Sequence, residues 1–380
     1  MSGKTVPVSL LPSRRREGNI ELLRIVSMLL ILGHHLAWHG MALYAPLRGN
    51  RVLATVLFAG GQTGVNCFVL ITGYFLAPFR ARRFFQVALQ TLFYSVGLTL
   101  LMKAAGWRQD VTADTVLRSA LIISRSPYWF VTMYLALTAV LPLLQPAVKR
   151  LSRGAHLWVL ALAGLYLCVL PTVTVQDPVS PYFHQLTWFF FLYLLGAYFK
   201  KYPARWMGWT ALHGAVFALC IAFMTWACLW GAEHAELFQR VASRSNFFAD
   251  KNTIPQLLCS CALLLLFSSL RVRPSRALTL LSGASFGVYL THDHGLLREM
   301  IWRVWLPVWS YCQQGNFWLY ALLIPPGLYL ACAAVDLLRK FALERPLLHL
   351  LDPAFRWIDR KLGSGDDAEG MDESSGQKEA

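Results

Sequence analysis

The first long apolar run of the chain, residues 17–40, is the feature that most constrains the fold. It reads EGNIELLRIVSMLLILGHHLAWHG, which is long and apolar enough for a membrane-spanning helix. Beyond Glu17 at its start, the run carries five more ionisable side chains: Glu21, Arg24, His34, His35 and His39. Ionisable groups at membrane depth are costly, so they usually face a protein interior or a wet cavity and mark function. We therefore expect this helix to lie inside a bundle of other helices.

The spacing places most of these side chains on one stripe. Arg24 and His35 are eleven residues apart, about three full turns, so they share a face and lie about 16 Å apart along the axis. Glu21 falls within about 40° of His35, and His39 lies one turn beyond it. His34 is turned away from His35 by about 100°. The alternative is that Glu21 and Arg24 form an ion pair at the membrane edge and the histidines make interhelical hydrogen bonds.

Composition agrees with a membrane protein. Of the 380 residues, 56% are hydrophobic and only 14% are charged, with a mean hydropathy of +0.46. A soluble domain carries about 25% charged residues. The net charge of +15 does not indicate nucleic acid binding, because the basic residues lie in short clusters between apolar runs. The eight cysteines contain no CxxC pair, so neither a disulfide framework nor a zinc site is predicted.

Ten apolar runs are long enough, or nearly so, to cross a bilayer. They lie at about 20–38, 53–77, 84–105, 127–147, 156–175, 185–200, 208–230, 254–270, 279–298 and 316–340. Every second connection between them is basic, and cytoplasmic loops carry the lysine and arginine excess. We therefore predict an all-α polytopic membrane protein with about ten transmembrane helices and both termini in the cytoplasm.

Four ordered segments resemble one family. They are the R-x10-H pair from Arg24 to His35, GQTGVNCFVLITGYFL (61–76), SPYWFVTMYLALTAVLPLLQP (126–146) and SFGVYLTHDHGLLREMIW (285–302). Together they resemble the acyltransferase 3 family of bacterial integral-membrane O-acyltransferases. The HHxxxHG version of the first segment looks most like the subgroup that acetylates surface polysaccharides. The resemblance covers roughly residues 17–345, and it departs from the usual Ser-Gly at Thr72.

The resemblance implies a role for each matching position. His35 would be the acid/base that activates an acceptor hydroxyl or receives the acyl group. Arg24, with Glu21 nearby, would support the site or the acyl donor, and His34 is the alternative base. The donor would be acetyl-CoA from the cytoplasm, and the acceptor a hydroxyl of a cell-surface polysaccharide or its lipid-linked precursor. Neutral imidazole suits this chemistry, because a sugar hydroxyl is a poor nucleophile that needs a positioned base.

Further candidates line the acceptor side of the site. They are Asn66, Thr72, Tyr74, Tyr128, Trp129, His292, Asp293 and Arg298. Each has a structural alternative: an interhelical hydrogen bond for Asn66, an aromatic belt for Tyr128 and Trp129, and a buried network for His292 and Asp293.

A second group of candidates is basic. Arg80, Arg82 and Arg83 could hold the phosphates of coenzyme A, although any cytoplasmic loop carries such arginines. The expected partners are the lipid bilayer, coenzyme A and the glycan acceptor, with no nucleic acid and no metal.

The expected organisation has three parts. Residues 1–18 form a cytoplasmic basic segment, residues 19–345 the acyltransferase transmembrane domain, and residues 346–380 a cytoplasmic tail that is disordered from about 362. The resemblance implies a multi-pass protein of the bacterial inner membrane. Two other functions fit the pattern less well: a transporter or flippase of lipid-linked sugars, and a histidine-rich membrane metalloenzyme.

Overall fold

The computed structural model describes residues 17–125, 127–174, 181–237 and 245–363. All regular secondary-structure elements within these ranges are helices. The helices are α1 Gly18–His39, α2 Arg48–Tyr74, α3 Ala81–Ala104, α4 Ala113–Ala120, α5 Trp129–Arg150, α6 Arg153–Gly164, α7 Leu170–Thr174, α8 Pro181–Lys201, α9 Thr210–Glu233, α10 Ile254–Ser269, α11 Arg276–His292, α12 Gly295–Glu299, α13 Val308–Cys312, α14 Phe317–Arg339 and α15 Arg345–Lys361. The predicted basic segment before Glu17 and the predicted disordered tail after Gly363 lie outside the described residues.

Nine of the ten predicted apolar runs overlap one continuous helical stretch each, and the run at 279–298 is divided between α11 and α12. Eight helical stretches of the described chain are long and apolar enough to cross a membrane, so the all-α, multi-pass fold is confirmed. The predicted runs at 185–200 and 279–298 correspond to α8 and α11, which are not among those eight. The count of ten crossings and the cytoplasmic termini stay predictions.

Large apolar side chains on the outside of the bundle explain why the protein needs a lipid environment. Six examples from several helices, each at least 63% exposed, are Leu143, Trp158, Val173, Leu219, Leu322 and Leu338. An apolar surface of this kind, distributed over several helices, is stable only against hydrocarbon.

Helix α2 lies at the centre of the bundle and is the most deeply buried of the spans. On one side it packs against α1, and on another against α8. Glycines permit both approaches, because a side chain at Gly64 would collide with the backbone of Ser27 and one at Gly73 with the backbone of Tyr193. Small residues at such contacts let transmembrane helices approach closely. Helix α1 is therefore held close against α2.

Replacing Gly64 with alanine is expected to destabilise the protein by about 1–3 kcal/mol, because the new Cβ would collide with the Ser27 carbonyl oxygen and α1 would have to move. The matched control is Gly97→Ala on α3, where no atom lies within 4 Å of the added carbon. That change is expected to be neutral or slightly stabilising. Thermal unfolding of the two purified variants checks the difference, and equal stability would contradict the close α1–α2 contact.

Candidate active site

The predicted site residues on α1 and α2 fall at two ends of one helix pair. His34 stacks on the ring of Phe58 with centroids 4.5 Å apart, whereas the Arg24 guanidinium lies 6.0 Å from the ring centroid of Phe75. The two helices are therefore antiparallel, and the site has an Arg24 end and a His35 end. Eleven residues of helix separate these ends by about 16 Å.

At the His35 end, α1 meets the end of α11. The Nδ1 atom of His35 lies 2.9 Å from Nε2 of His292, so the second histidine cluster reaches the first helix. The apolar run predicted to continue to residue 298 instead breaks after His292, because Asp293 leaves the helix and His294 caps the next one. This break places the buried His292 and Asp293 at a helix end, beside α1.

The tautomers of this histidine pair follow from the backbone. His292 Nδ1 lies 2.6 Å from the carbonyl oxygen of Val288, and a carbonyl can only accept a hydrogen bond. His292 therefore carries its proton on Nδ1, and its Nε2 accepts the proton that His35 holds on Nδ1. The Nε2 atom of neutral His35 is left with its lone pair, which is the state a general base requires.

A carboxylate and an arginine complete this cluster. Asp293 Oδ1 lies 3.9 Å from His35 Nδ1 and accepts a hydrogen bond of 3.0 Å from Arg298 Nη1. The Val288 carbonyl orients His292, and Asp293 is placed to stabilise positive charge on His35. All four groups come from two short segments of the fold, α1 and the α11–α12 junction.

The other two histidines of α1 have different surroundings. The Nδ1 atom of His34 donates to the Phe58 carbonyl oxygen at 2.7 Å, and its ring fills the space that Gly61 leaves open on α2. His39 lies beside His35, with ring centroids 4.9 Å apart. His34 therefore packs against α2, away from the His292 cluster, as its 100° offset predicted.

At the Arg24 end, three predicted residues have defined side-chain contacts. Glu21 is buried and accepts a hydrogen bond of 2.9 Å from Thr279 of α11. Thr72 donates to the Phe68 carbonyl oxygen at 3.0 Å, as a serine at this position could also do. The Lys200 ammonium lies 4.6 Å from the ring centroid of Tyr74, which adds a cation that the sequence did not single out.

Asn66 lies between the two ends and is fully engaged. Its amide donates to the Lys251 carbonyl oxygen at 2.8 Å and to Ser260 Oγ at 3.2 Å, and its oxygen accepts from Trp188 Nε1 at 3.0 Å. With no exposed surface, it joins α2, α8 and α10. The structure therefore favours the interhelical hydrogen bond over direct chemistry for this residue.

The two predicted aromatic residues occupy different environments. Tyr128 is buried and its hydroxyl donates to the Leu290 carbonyl oxygen at 2.7 Å, two residues before His292. Trp129 is half-buried, with the Lys251 ammonium 5.0 Å from its ring centroid. Tyr128 thus supports the end of α11 that carries His292. Trp129 instead contacts Lys251, a cation that the sequence did not single out.

The three predicted phosphate ligands lie at the start of α3. Arg82 forms a salt bridge of 3.0 Å with Asp352 of α15, so a phosphate there would have to compete with a carboxylate. Arg80 immediately precedes the helix and Arg83 lies in its first turn. Since α2 ends at Tyr74 and α3 begins at Ala81, these arginines lie at the Arg24 end of the bundle.

At the other end of α3, a loop is tied to the segment that carries Arg298. Arg108 binds Glu299 at 2.9 Å and Asp110 at 2.8 Å. The hydrogen bonds from Arg108 lower the pKa of the Asp110 carboxyl. This loop therefore borders the His35 end and holds the residue next to Arg298 in place.

One group of side chains has the donor types of a metal site. Ligand atoms of His35, His39 and Asp293 all lie within 4.8 Å of one another. However, His35 Nδ1 is bonded to His292, and the Asp293 carboxylate is bonded to Arg298, whose fixed positive charge opposes a cation. The same atoms fit a proton-transfer cluster better than a metal centre, and the absence of a metal stays a prediction.

Fold and site together define a multi-pass helical membrane protein with a buried histidine–carboxylate–arginine cluster. A family profile described as an acyltransferase domain matches residues 17–336. The chain therefore belongs to the acyltransferase 3 family and is a membrane protein with an acyl-transferring domain. No curated protein and no solved structure shows a significant match to it.

Proposed function

We propose that this protein is an O-acetyltransferase of the bacterial inner membrane that moves an acetyl group from cytoplasmic acetyl-CoA to a hydroxyl of a surface glycan or its lipid-linked precursor. The observation that carries the proposal is the hydrogen bond from His35 Nδ1 to His292 Nε2. It leaves His35 Nε2 available as a base, on the helix that also carries Arg24.

In the proposed reaction, His35 Nε2 takes the proton of the acceptor hydroxyl as its oxygen attacks the thioester carbonyl. The positive charge on His35 is stabilised by His292 and by Asp293 at 3.9 Å. The new carbon–oxygen bond forms, the carbon–sulfur bond breaks, and the proton passes from His35 to the departing thiolate. The reaction is balanced without a metal or a redox partner.

The tetrahedral intermediate carries negative charge on the former carbonyl oxygen, which requires a donor. Tyr128 and Asn66 donate their own hydrogens to backbone oxygens. Arg298 is the stronger candidate, because its guanidinium is held by Asp293 beside His35. We propose Arg298 for this role.

The Arg24 end suits the donor. Arg24, Lys200 and the arginines at the start of α3 supply positive charge on the side where the basic connections lie. The separation of about 16 Å between Arg24 and His35 fits an elongated molecule whose charged part stays at one end while its reactive end reaches the other.

His292 is expected to act through His35. Replacing it with leucine removes the acceptor for His35 Nδ1 and lets the His35 ring turn or change tautomer, so the rate of acyl transfer should fall by about 10²-fold. Glutamine keeps an acceptor oxygen in the same region and should retain more activity than leucine. Initial rates of the two purified variants test this order, and equal rates would contradict a positioning role.

Proteoliposomes with a known orientation test the proposal as a whole. Labelled acetyl-CoA is sealed inside or added outside, and a glycan acceptor is supplied on the opposite side. We expect label in the glycan only when acetyl-CoA meets the face that carries Arg80 and Arg82. Labelling from neither side, with no coenzyme A binding, would favour the transport alternative.

A further inference from the structure

The last described helix, α15, lies beyond the residues matched by the family profile and takes no part in the proposed reaction. It follows α14 after a single widened turn, Lys340–Glu344. The combined helical stretch Phe317–Lys361 has 45 residues. At 1.5 Å per residue this is about 68 Å, more than twice the ~30 Å hydrocarbon core, so part of it must lie outside the bilayer interior.

One face of α15 is docked on α3. Leu348 and Phe355 are buried, and the Phe355 ring stacks on Phe85 with centroids 5.7 Å apart. The two acidic residues of the helix also face α3. Asp352 pairs with Arg82 at 3.0 Å, and Asp359 accepts a hydrogen bond of 2.8 Å from the Ala81 backbone.

The contacts give the direction of α15. Glu344, Asp352 and Asp359 bond in turn to Gln86, Arg82 and Ala81. Fifteen residues from Glu344 to Asp359 rise about 22 Å, whereas the five residues from Gln86 to Ala81 rise only about 8 Å. The helix therefore runs across the start of α3 at a steep angle rather than beside it. Because α3 crosses the membrane, α15 lies along the surface.

The remaining circumference divides into an apolar and a basic arc. Leu347, Leu350 and Trp357 are 45%, 77% and 57% exposed and fall within about 80° of one another. The basic arc covers about 60° next to it and consists of exposed Arg345, Arg356 and Arg360, together with exposed His349, whose ring is bonded to Asp352 at 2.9 Å. Since both carboxylates face the protein, the outward charge of the helix is positive.

We propose that α15 is a membrane-surface helix that binds anionic phospholipid headgroups, on the side of the membrane where α3 begins. The basic arc contacts the phosphates, and Leu347, Leu350 and Trp357 enter the boundary between headgroups and acyl chains. An exposed apolar arc beside a basic arc, with tryptophan between them, is the pattern of interfacial helices. The charge excess favours an anionic lipid over a second copy of this basic chain.

Site-directed labelling of the full-length protein tests the proposal. A fluorophore is attached to Leu350→Cys or to the matched control His349→Cys; the His349 side chain is 86% exposed on the basic arc. Seven of the eight native cysteines are buried and Cys261 is partly buried, so the unmodified protein supplies the labelling background. Each labelled variant is placed in phosphatidylcholine vesicles with or without about 30% phosphatidylglycerol.

Lipids brominated on the acyl chain are expected to quench the label at Leu350 about threefold more than the label at His349, with aqueous iodide showing the reverse order. Equal access of iodide to both labels would overturn the proposal. Shielding of the Leu350 label from both quenchers would also overturn it and indicate a protein partner, such as a second copy.

Charge reversal tests the headgroup preference separately. In the Leu350→Cys background, Arg356→Glu with Arg360→Glu should abolish most of the increase in lipid quenching that phosphatidylglycerol produces. The matched control reverses two exposed arginines after α10, Arg271→Glu and Arg273→Glu, and should keep that increase. An unchanged response of the α15 variant would contradict binding through the basic arc.

Discussion

Replacing His35 with alanine is expected to lower the rate of acyl transfer by about 10²–10⁴-fold while leaving the folded protein in the membrane. His35 Nδ1 donates to His292, and His292 Nδ1 donates to the Val288 carbonyl oxygen. This chain of hydrogen bonds leaves His35 Nε2 as an acceptor. The variant loses this base, and few contacts that hold α1 in place are lost with it. Product formation with labelled acetyl-CoA and a glycan acceptor measures the effect, with chromatographic homogeneity as the check on folding.

His34→Ala is the matched control for this experiment. The two histidines are neighbours, but His34 donates to the Phe58 carbonyl oxygen and stacks on that residue's ring. Its loss is expected to reduce stability more than the chemical rate. A fully active His35→Ala would contradict the assignment of the base, and loss confined to His34→Ala would move the base by one residue.

Replacing Arg339 with methionine is expected to destabilise the protein by about 3–5 kcal/mol, although the residue is outside the proposed site. Arg339 is bonded to Asp336 at 3.0 Å and to Glu344 at 2.6 Å. All three side chains are buried, and Asp336 is only 1% exposed. Without the arginine, two carboxylates remain inside the bundle, with Gln90 and Tyr94 bonded to Asp336.

The apparent melting temperature in detergent should fall by about 10 °C in this variant. Arg273→Met removes an exposed arginine and should leave the melting temperature nearly unchanged. The triple variant Asp336→Asn, Arg339→Met, Glu344→Gln should recover most of the loss, because no buried charge is left unpaired. Equal melting temperatures for Arg339→Met and Arg273→Met would contradict a stabilising network.

The sequence predicted much of the His35 end because its signals are local and periodic. An ionisable stripe on an apolar helix indicates a buried face, and eleven residues place Arg24 and His35 on it. The second cluster at His292 was visible for the same reason, since ionisable residues interrupted an apolar run. The hydrogen bonds of the two histidines could not be predicted from the sequence. His292 is oriented by the backbone carbonyl of Val288, and a backbone group leaves no signal in the residue types.

The Asp336 network and α15 were missed for the opposite reason. Arg339 belongs to a stretch with Lys340 and Arg345 that follows the pattern of a basic cytoplasmic loop. Its burial depends on the widened turn after α14 and on α3 side chains about 250 residues away in the chain. The docking of α15 likewise depends on the pairing of Asp352 with Arg82, which no local pattern indicates.

Transfer of an acetyl group from acetyl-CoA can be measured as coenzyme A release from acetyl-CoA by the purified wild-type protein with a crude bacterial glycan acceptor. We expect release that depends on the acceptor and is lost in His35→Ala, with one acetyl group in the glycan for each coenzyme A released. A wild-type protein that neither releases nor binds coenzyme A under these conditions would contradict it.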